Sequence, residues 1–501
     1  MGFRRPSAEH VAPPIALAMP RQVLLGVAGR WKVRPVRRKK GTGMGMLLVK
    51  NADAIVTCDD ADHVFTHADL LATDGVITYV GPTGANAAAS SAADEVIDAR
   101  GKAVYPGLVN THHHFYQIFT RNYPEVQNLE LFPWLTTLYE YWKNIDPEVM
   151  RYATYSALGE LVKGGCTTCF DHHYVFPNGV DGLMEAEFDA ASQIGARMIV
   201  SRGSMSLSKK DGGLPPDSVV QSVDAILADS QRAVEKFHDP APFSMRQVVL
   251  APCSPFSVTK DLLVESAKLG RSLGVRLHTH LCETLDEERF TINATGMRPL
   301  AYMESVGWVG PDVWFAHGIH FNDDELRVLV QTGTGVAHCP ISNMKLSSGV
   351  ARVGEMLKLG IPVGLGVDGS ASNDGSSLLE EMRVGFLLHR LNESYNAPTG
   401  YDMLKIATRG GARVLGRPEI GQLASGKAAD LFMIDANRLE LTGALRDPKA
   451  VLAVVGWRGP VDRTVVAGRT VMQDGHLVGI DEERAAAEAD ACWHRFVEKN
   501  A

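Results

Sequence analysis

The chain has 501 residues, enough for a large barrel and a smaller domain. Its hydrophobic fraction of 45%, charged fraction of 22% and net charge of −8 are ordinary for a globular protein and argue against nucleic acid or an anionic membrane as partner. No apolar run approaches membrane-spanning length, and the seven scattered cysteines argue against a disulfide framework, so a soluble protein in a reducing, cytoplasmic compartment is expected.

Residues 1–45 hold ten Lys or Arg and one acid, Glu9. Their composition predicts a basic, disordered extension, or an over-extended start, since Met44 and Met46 directly precede the first folded-looking segment. Residues 46–105 read as short strands joined by tight turns, with Leu47–Val56 and Asp74–Gly81 as examples. Residues 416–480 read the same way: Gly426–Asp435 and Asp462–Met472 are predicted strands and Gln473–Gly475 a turn. Two strand-rich pieces flanking a long middle predict one small β-sandwich domain built from both chain ends. Residues 481–501, rich in Ala and Glu, predict a closing helix.

The middle, residues 106–415, alternates strands and helices, the pattern of a parallel α/β sheet. Eight strands are predicted: Ala103–Val109, Thr167–Asp171, Met198–Arg202, Val248–Pro252, Val275–His280, Val313–His317, Gly335–His338 and Val363–Asp368. Helical segments such as Glu148–Lys163, Thr259–Leu273 and Asp323–Gln331 separate them. The expected fold is a (β/α)8 TIM barrel. A doubly wound open sheet would usually show a Gly-rich turn after its first strand, and none follows Asn110. The pair Cys166 and Cys169 falls on a strand, where positions i and i+3 face opposite sides, so both read as buried small residues.

Ten of the 17 histidines fall at the carboxyl ends of these strands: His112, His113, His114, His172, His173, His278, His280, His317, His320 and His338. In a parallel barrel these ends open on one face, where the active site lies. One strand-end histidine is more often a hydrogen-bonded structural residue; four strand ends in register are not readily explained that way. On a strand, i and i+2 point the same way, so His112 and His114 can share an ion while His113 points elsewhere. Imidazole and carboxylate donors without thiolate suit a catalytic Zn²⁺ or Fe²⁺.

The order P-G-L-V-N-T-H-x-H at 106–114, H-x-H-x-x-E at 278–283, A-H at 316–317 and V-D-G at 367–369 resembles the amidohydrolase superfamily, in its cytosine, guanine and S-adenosylhomocysteine deaminase branch. The resemblance runs from about Leu47 onward and includes the segment Leu423–Leu431. It implies one metal, Zn²⁺ ahead of Fe²⁺, held by His112, His114, His280 and Asp368. Glu283, His317 and Asp368 would be catalytic and His278 a supporting group. Binuclear relatives carry a carboxylated lysine on the fourth strand, and Val248–Ser254 has none. The H-x-E motif of the other zinc deaminase class is absent from the sequence.

Asp368 would take a proton from the attacking water, and Glu283 would deliver protons to a ring nitrogen and the departing amine. Its presence favours deamination over dechlorination. Segments such as Leu131–Trp134, Arg202–Leu207, Ala251–Ser257 and His338–Met344 are similar to those of 8-oxoguanine deaminases, which implies conversion of 8-oxoguanine to urate and ammonia. Hydroxyatrazine-type triazine aminohydrolases share many of them, and a pterin aminohydrolase is a further alternative. A catalytically dead scaffold would have lost ligands, and all four are present. A flat heterocycle needs an aromatic wall and a few polar groups. Trp134 is expected in that wall, among Phe115, Tyr116, Phe132 and Tyr139; Gln117 can donate and accept; Arg202 could hold a ring carbonyl; His173 and Asn343 are further candidates. Related barrels commonly form homodimers.

Overall fold

The computed structural model describes residues 45–84 and 89–500, so the basic stretch expected at 1–45 lies outside them apart from Gly45. Nine strands drawn from both ends of the chain form one sheet. Lys102–Pro106, the last strand of the N-terminal group, runs antiparallel to Leu431–Asp435, the first of the C-terminal group. The period of two sorts the side chains at this join. Val104, Leu431 and Met433 enter the sheet's own core with Leu47, Ile55 and Leu70, whereas Ala103, Tyr105, Phe432 and Ile434 join the larger core that contains the barrel. The single strand expected at Asp462–Met472 is instead a hairpin of Arg463–Val466 and Arg469–Gln473. Ala467 (φ 49°) and Gly468 (φ 71°) both turn left-handed, the two-residue turn that matches strand twist.

Eight parallel strands close into a barrel: β1 (Leu108–Asn110), β2 (Cys166–Asp171), β3 (Arg197–Ser204), β4 (Arg246–Pro252), β5 (Leu277–Leu281), β6 (Val313–His317), β7 (Gly335–His338) and β8 (Val363–Leu365). Each pairs with the next in sequence, and β8 closes on β1 through Leu365 and Asn110. This is the expected TIM barrel, with two strand ends corrected. The first predicted strand, Ala103–Val109, divides at Pro106-Gly107: its first part belongs to the nine-stranded sheet and its second to the barrel. Gly107 is needed there, since a Cβ would lie 2.1 Å from Thr167 Oγ1. The last predicted strand, Val363–Asp368, stops at Leu365. Gly366 passes against His112, where a Cβ would sit 2.8 Å from the His112 Cβ, and Asp368-Gly369 then pairs with His113-His114.

Helices between the strands begin on capped amino ends. Asp146 caps Pro147–Lys163 by accepting the Glu148 and Val149 amides, and Asn322 and Glu325 form a reciprocal capping box on Asp323–Thr332. Strand alternation sets what faces inward. Phe170, Ile199, Val249 and Trp314 share the barrel interior, while Cys169, Met198, Val200, Val248 and Phe315 pack outward against the helices. Cys166 and Cys169 are buried and free, as expected. Among the described residues, no helix is long and apolar enough to cross a membrane.

Candidate metal centre and active site

The carboxyl ends of β1, β5, β6 and β8 bring six of the sequence-predicted residues together. Asp368 Oδ1 lies 3.3 Å from His112 Nε2 and 3.2 Å from His114 Nε2. His114 Nε2 lies 3.1 Å from His280 Nε2. His317 Nε2 is 3.9 Å from Asp368 Oδ2 and 3.5 Å from Glu283 Oε2. All are buried. His113 turns away, its Nε2 meeting Ser376 Oγ at 3.0 Å.

Hydrogen bonds behind the cluster fix where each imidazole carries its proton. His280 Nδ1 donates to the Cys253 carbonyl at 2.6 Å, and His114 Nδ1 to the His172 carbonyl at 2.7 Å. The Nε2 atoms of both rings are therefore bare acceptors. His112 is set by a two-step relay. His278 Nδ1 donates to the Trp314 carbonyl at 2.9 Å, so His278 Nε2 accepts from His112 Nδ1 at 2.9 Å, and His112 Nε2 is left bare without a partner. Burial, with neighbouring histidines adding to it, pushes His112 down to about 3 and holds His278 and His280 well below the usual range, so the three stay neutral. The Asp368 carboxyl lies well below its usual range despite its burial, and its Oδ2 accepts from Ser342 Oγ.

Three imidazole lone pairs and a carboxylate thus face one another with no donor between them. Two Nε2 lone pairs 3.1 Å apart repel unless a cation sits among them. The donor set, three imidazoles and one carboxylate with open space beside it, fits a catalytic divalent ion.

Beside this centre lies a tight cavity, partly open to solvent. Leu131, Trp134, Leu135, Phe256 and Leu346 give it apolar walls, and Gln117, Tyr174, Cys253 and Ser372 polar points. The Trp134 indole N–H is buried and unpartnered. Gln117 packs over Gly369, where a Cβ would lie 1.8 Å from Gln117 Oε1, and accepts the Ala371 amide at 3.3 Å. Glu283 reaches the cavity with Ser348 Oγ 3.4 Å away, and burial, then the nearby Asp368 charge, raises it well above the usual carboxyl range. A raised carboxyl beside a lowered one is the division of labour an acid and a base need.

The remaining sequence candidates fall elsewhere. Asn343 touches no cavity wall; its Oδ1 accepts from His317 Nδ1 at 2.9 Å, which aims the His317 ring. Arg202 does not line the cavity. The strand extends two residues beyond its predicted end, to Ser204, so Arg202 sits mid-strand on the helix-facing side. There it stacks over Phe176, pairs with Asp229 at 2.5 Å and donates to Gln221 Oε1 at 2.7 Å. His173 also faces outward from the barrel, against Phe176 and Tyr116.

Several contributors went unread in the sequence. Ser342 Oγ donates to Asp368 Oδ2 at 2.5 Å, and Ser372 Oγ lies 3.3 Å from the same oxygen. Glu287 accepts the Cys282 and Glu283 amides at 2.9 and 2.8 Å and so anchors the backbone of Glu283. His317 (φ 70°) and Asp368 (φ 61°) are left-handed, a conformation that costs a non-glycine residue about 1–2 kcal/mol. In β6, Val313 and Phe315 face outward, so strict alternation would send His317 outward too; the left-handed bend is where alternation ends. Serines and backbone bends of this kind carry no spacing signal of their own.

A family model described as "Amidohydrolase family" matches residues 103–471. An 8-oxoguanine deaminase from Pseudomonas aeruginosa is 44% identical over 452 residues, covering 89% of this chain and 99% of that protein. A hydroxydechloroatrazine ethylaminohydrolase from Pseudomonas sp. (strain ADP) is 42% identical over 454 residues, covering 88% of this chain and 94% of that protein. The crystal structure of atrazine chlorohydrolase TrzN from Arthrobacter aurescens TC1 complexed with zinc superposes with a TM-score of 0.85 at 32% identity, covering 89% of this chain and all of that one.

Proposed function

The chain belongs to the amidohydrolase family, and we propose that it is the deaminase that converts 8-oxoguanine to urate and ammonia. The observation that carries this reading is the acceptor-only cluster beside Glu283, whose carboxyl is raised, at a small apolar-walled cavity. The 44% identity to an 8-oxoguanine deaminase selects the heterocycle.

His112, His114, His280 and Asp368 would hold one catalytic divalent ion, zinc by the chemistry of the donors and the zinc-complexed neighbour. When bound, the ion makes a water acidic enough to attack at neutral pH, with a pKa near about 7. Asp368, ionised and steadied by Ser342, accepts that water's proton. Glu283 would donate its proton to a ring nitrogen as the ring carbon bearing the amine is attacked; reprotonated from the new hydroxyl, it would protonate the amine as it leaves, and Asp368 would then return the water's first proton to Glu283. His317, aimed by Asn343, hydrogen-bonds the attacking oxygen. Trp134 closes one wall and offers its free N–H to a ring acceptor, and Gln117 offers an amide to the heterocycle's edge.

A second reading, an aminohydrolase acting on a hydroxylated triazine, is supported by the 42% identity to the ethylaminohydrolase and by the apolar Leu131, Leu135, Phe256 and Leu346, which would seat an alkylamine. Parallel assays on 8-oxoguanine, hydroxyatrazine, isoxanthopterin and guanine separate the two. Urate formation with the highest kcat/KM supports the first; preferential alkylamine release overturns it.

A further inference from the structure

One group of ionisable side chains takes no part in this chemistry. Asp171 ends β2, His173 follows two residues later, and Glu187 lies on the helix Leu183–Ile194 that returns along the barrel. Alternation along β2 sends Phe170 inward and Cys169 outward. Asp171 and His173 continue the outward set, so the group lies in the layer between strand and helix, a place aliphatic side chains normally fill. His172, between them, faces the other way, with its ring 4.8 Å from that of His280.

All three residues are completely buried. One ligand atom from each lies within 4.8 Å of the others. Asp171 Oδ1 is used, accepting the Phe115 amide at 2.7 Å. The remaining atoms, Asp171 Oδ2, both Glu187 oxygens and both His173 nitrogens, have no hydrogen-bond partner. Buried polar groups are almost always paired, and five orphans in one cluster imply something that binds them. One proton shared between the two carboxyls would pair those two residues and leave both His173 nitrogens stranded. A divalent cation satisfies all three at once: its two charges balance two carboxylates, and the imidazole, kept neutral by burial, supplies a lone pair.

We propose that Asp171, His173 and Glu187 form a second, non-catalytic divalent-cation site between β2 and the helix that follows it. Ligand bonds of about 2.1 Å place three ligand atoms about 3–3.6 Å from one another, so side chains now within 4.8 Å would draw together by about 1 Å on binding. Two carboxylates and one imidazole suit Zn²⁺, Mn²⁺ or Fe²⁺. The ion would tie the end of β2 to its helix. It would also brace the catalytic centre, because Asp171 holds the Phe115 amide just after His114, and the His172 carbonyl holds the His114 ring.

The test is to incubate the full chain with excess ZnCl₂ or MnCl₂, desalt it, count metal per chain, and collect anomalous diffraction at the metal edge. Two ions per chain are expected, one at His112–Asp368 and one among Asp171, His173 and Glu187. Glu187→Gln should lose the second ion and keep the first. One ion per chain, with water or nothing among the three residues in the wild-type anomalous map, overturns the proposal whether or not the variant folds. Two ions retained in Glu187→Gln overturns it as well.

Discussion

The nine-stranded sheet and the mouth of the barrel solve opposite problems. In the sheet every rule is local: side chains alternate between two apolar cores, and turns fall where Ala467-Gly468 permits them. At the mouth the local rules are broken together. Imidazole lone pairs face each other, a raised carboxyl sits beside a lowered one, and His317 and Asp368 bend left-handed. Such exceptions have a reason only if a cation and a substrate complete the site, so strain and unmet polarity mark function where satisfied packing marks stability.

Substitutions in the two regions should therefore fail differently. Glu283→Gln is expected to leave metal content and melting temperature unchanged while kcat falls by about 10²–10⁴-fold; near-wild-type turnover would break the contrast. The sign of the pH dependence follows from the raised carboxyl. Because Glu283 must carry its proton, wild-type kcat falls as pH rises through its elevated pKa, and the variant's pH profile loses that limb.

Leu431→Ala, in the sheet core, should cost about 2–5 kcal/mol in chemical denaturation while kcat/KM of the folded fraction stays unchanged. Activity lost without stability would show the two regions to be coupled. His278→Asn tests the relay that keeps His112 Nε2 bare. Metal affinity in a chelator competition should weaken by about 10–100-fold, with wild-type kcat restored once metal is saturating. The smallest effect is expected at Arg202→Lys. KM for 8-oxoguanine should change by less than about twofold, because the guanidinium serves Asp229 and Gln221. A tenfold rise would return Arg202 to the substrate.

These two regions also differ in how much the sequence discloses. The eight barrel strands and the strand-end residues His112, His114, His280, His317, Glu283 and Asp368 were legible, because parallel strands force their carboxyl ends onto one face. Arg202 and His173 were misplaced for one physical reason. A strand-end position tells which rim a residue occupies, but facing the lumen or the helices is set by alternation from the interior residues: Phe170 and Ile199 point inward, so His173 and Arg202, each three residues on, point outward. The hairpin at Ala467-Gly468 was read as continuous strand because Ala is no signal for a left-handed turn. Ser342 was invisible because only folding brings it to Asp368, and Ser372 and Glu287, local to Asp368 and Glu283, because a nearby serine or glutamate carries no spacing signal of its own.

The helix Leu131–Trp142 contributes Leu131, Trp134 and Leu135 to the cavity and nothing to the four metal-facing side chains. Chemistry and selectivity are thus carried by separate stretches of chain: the reaction is anchored at strand termini, and the shape of the acceptable molecule is written on a helix attached by loops. Such a division lets a lineage explore new heterocycles by revising that helix alone. Randomising Leu131 and Leu135 is accordingly the shortest route to an altered substrate range in a barrel that still binds its ion.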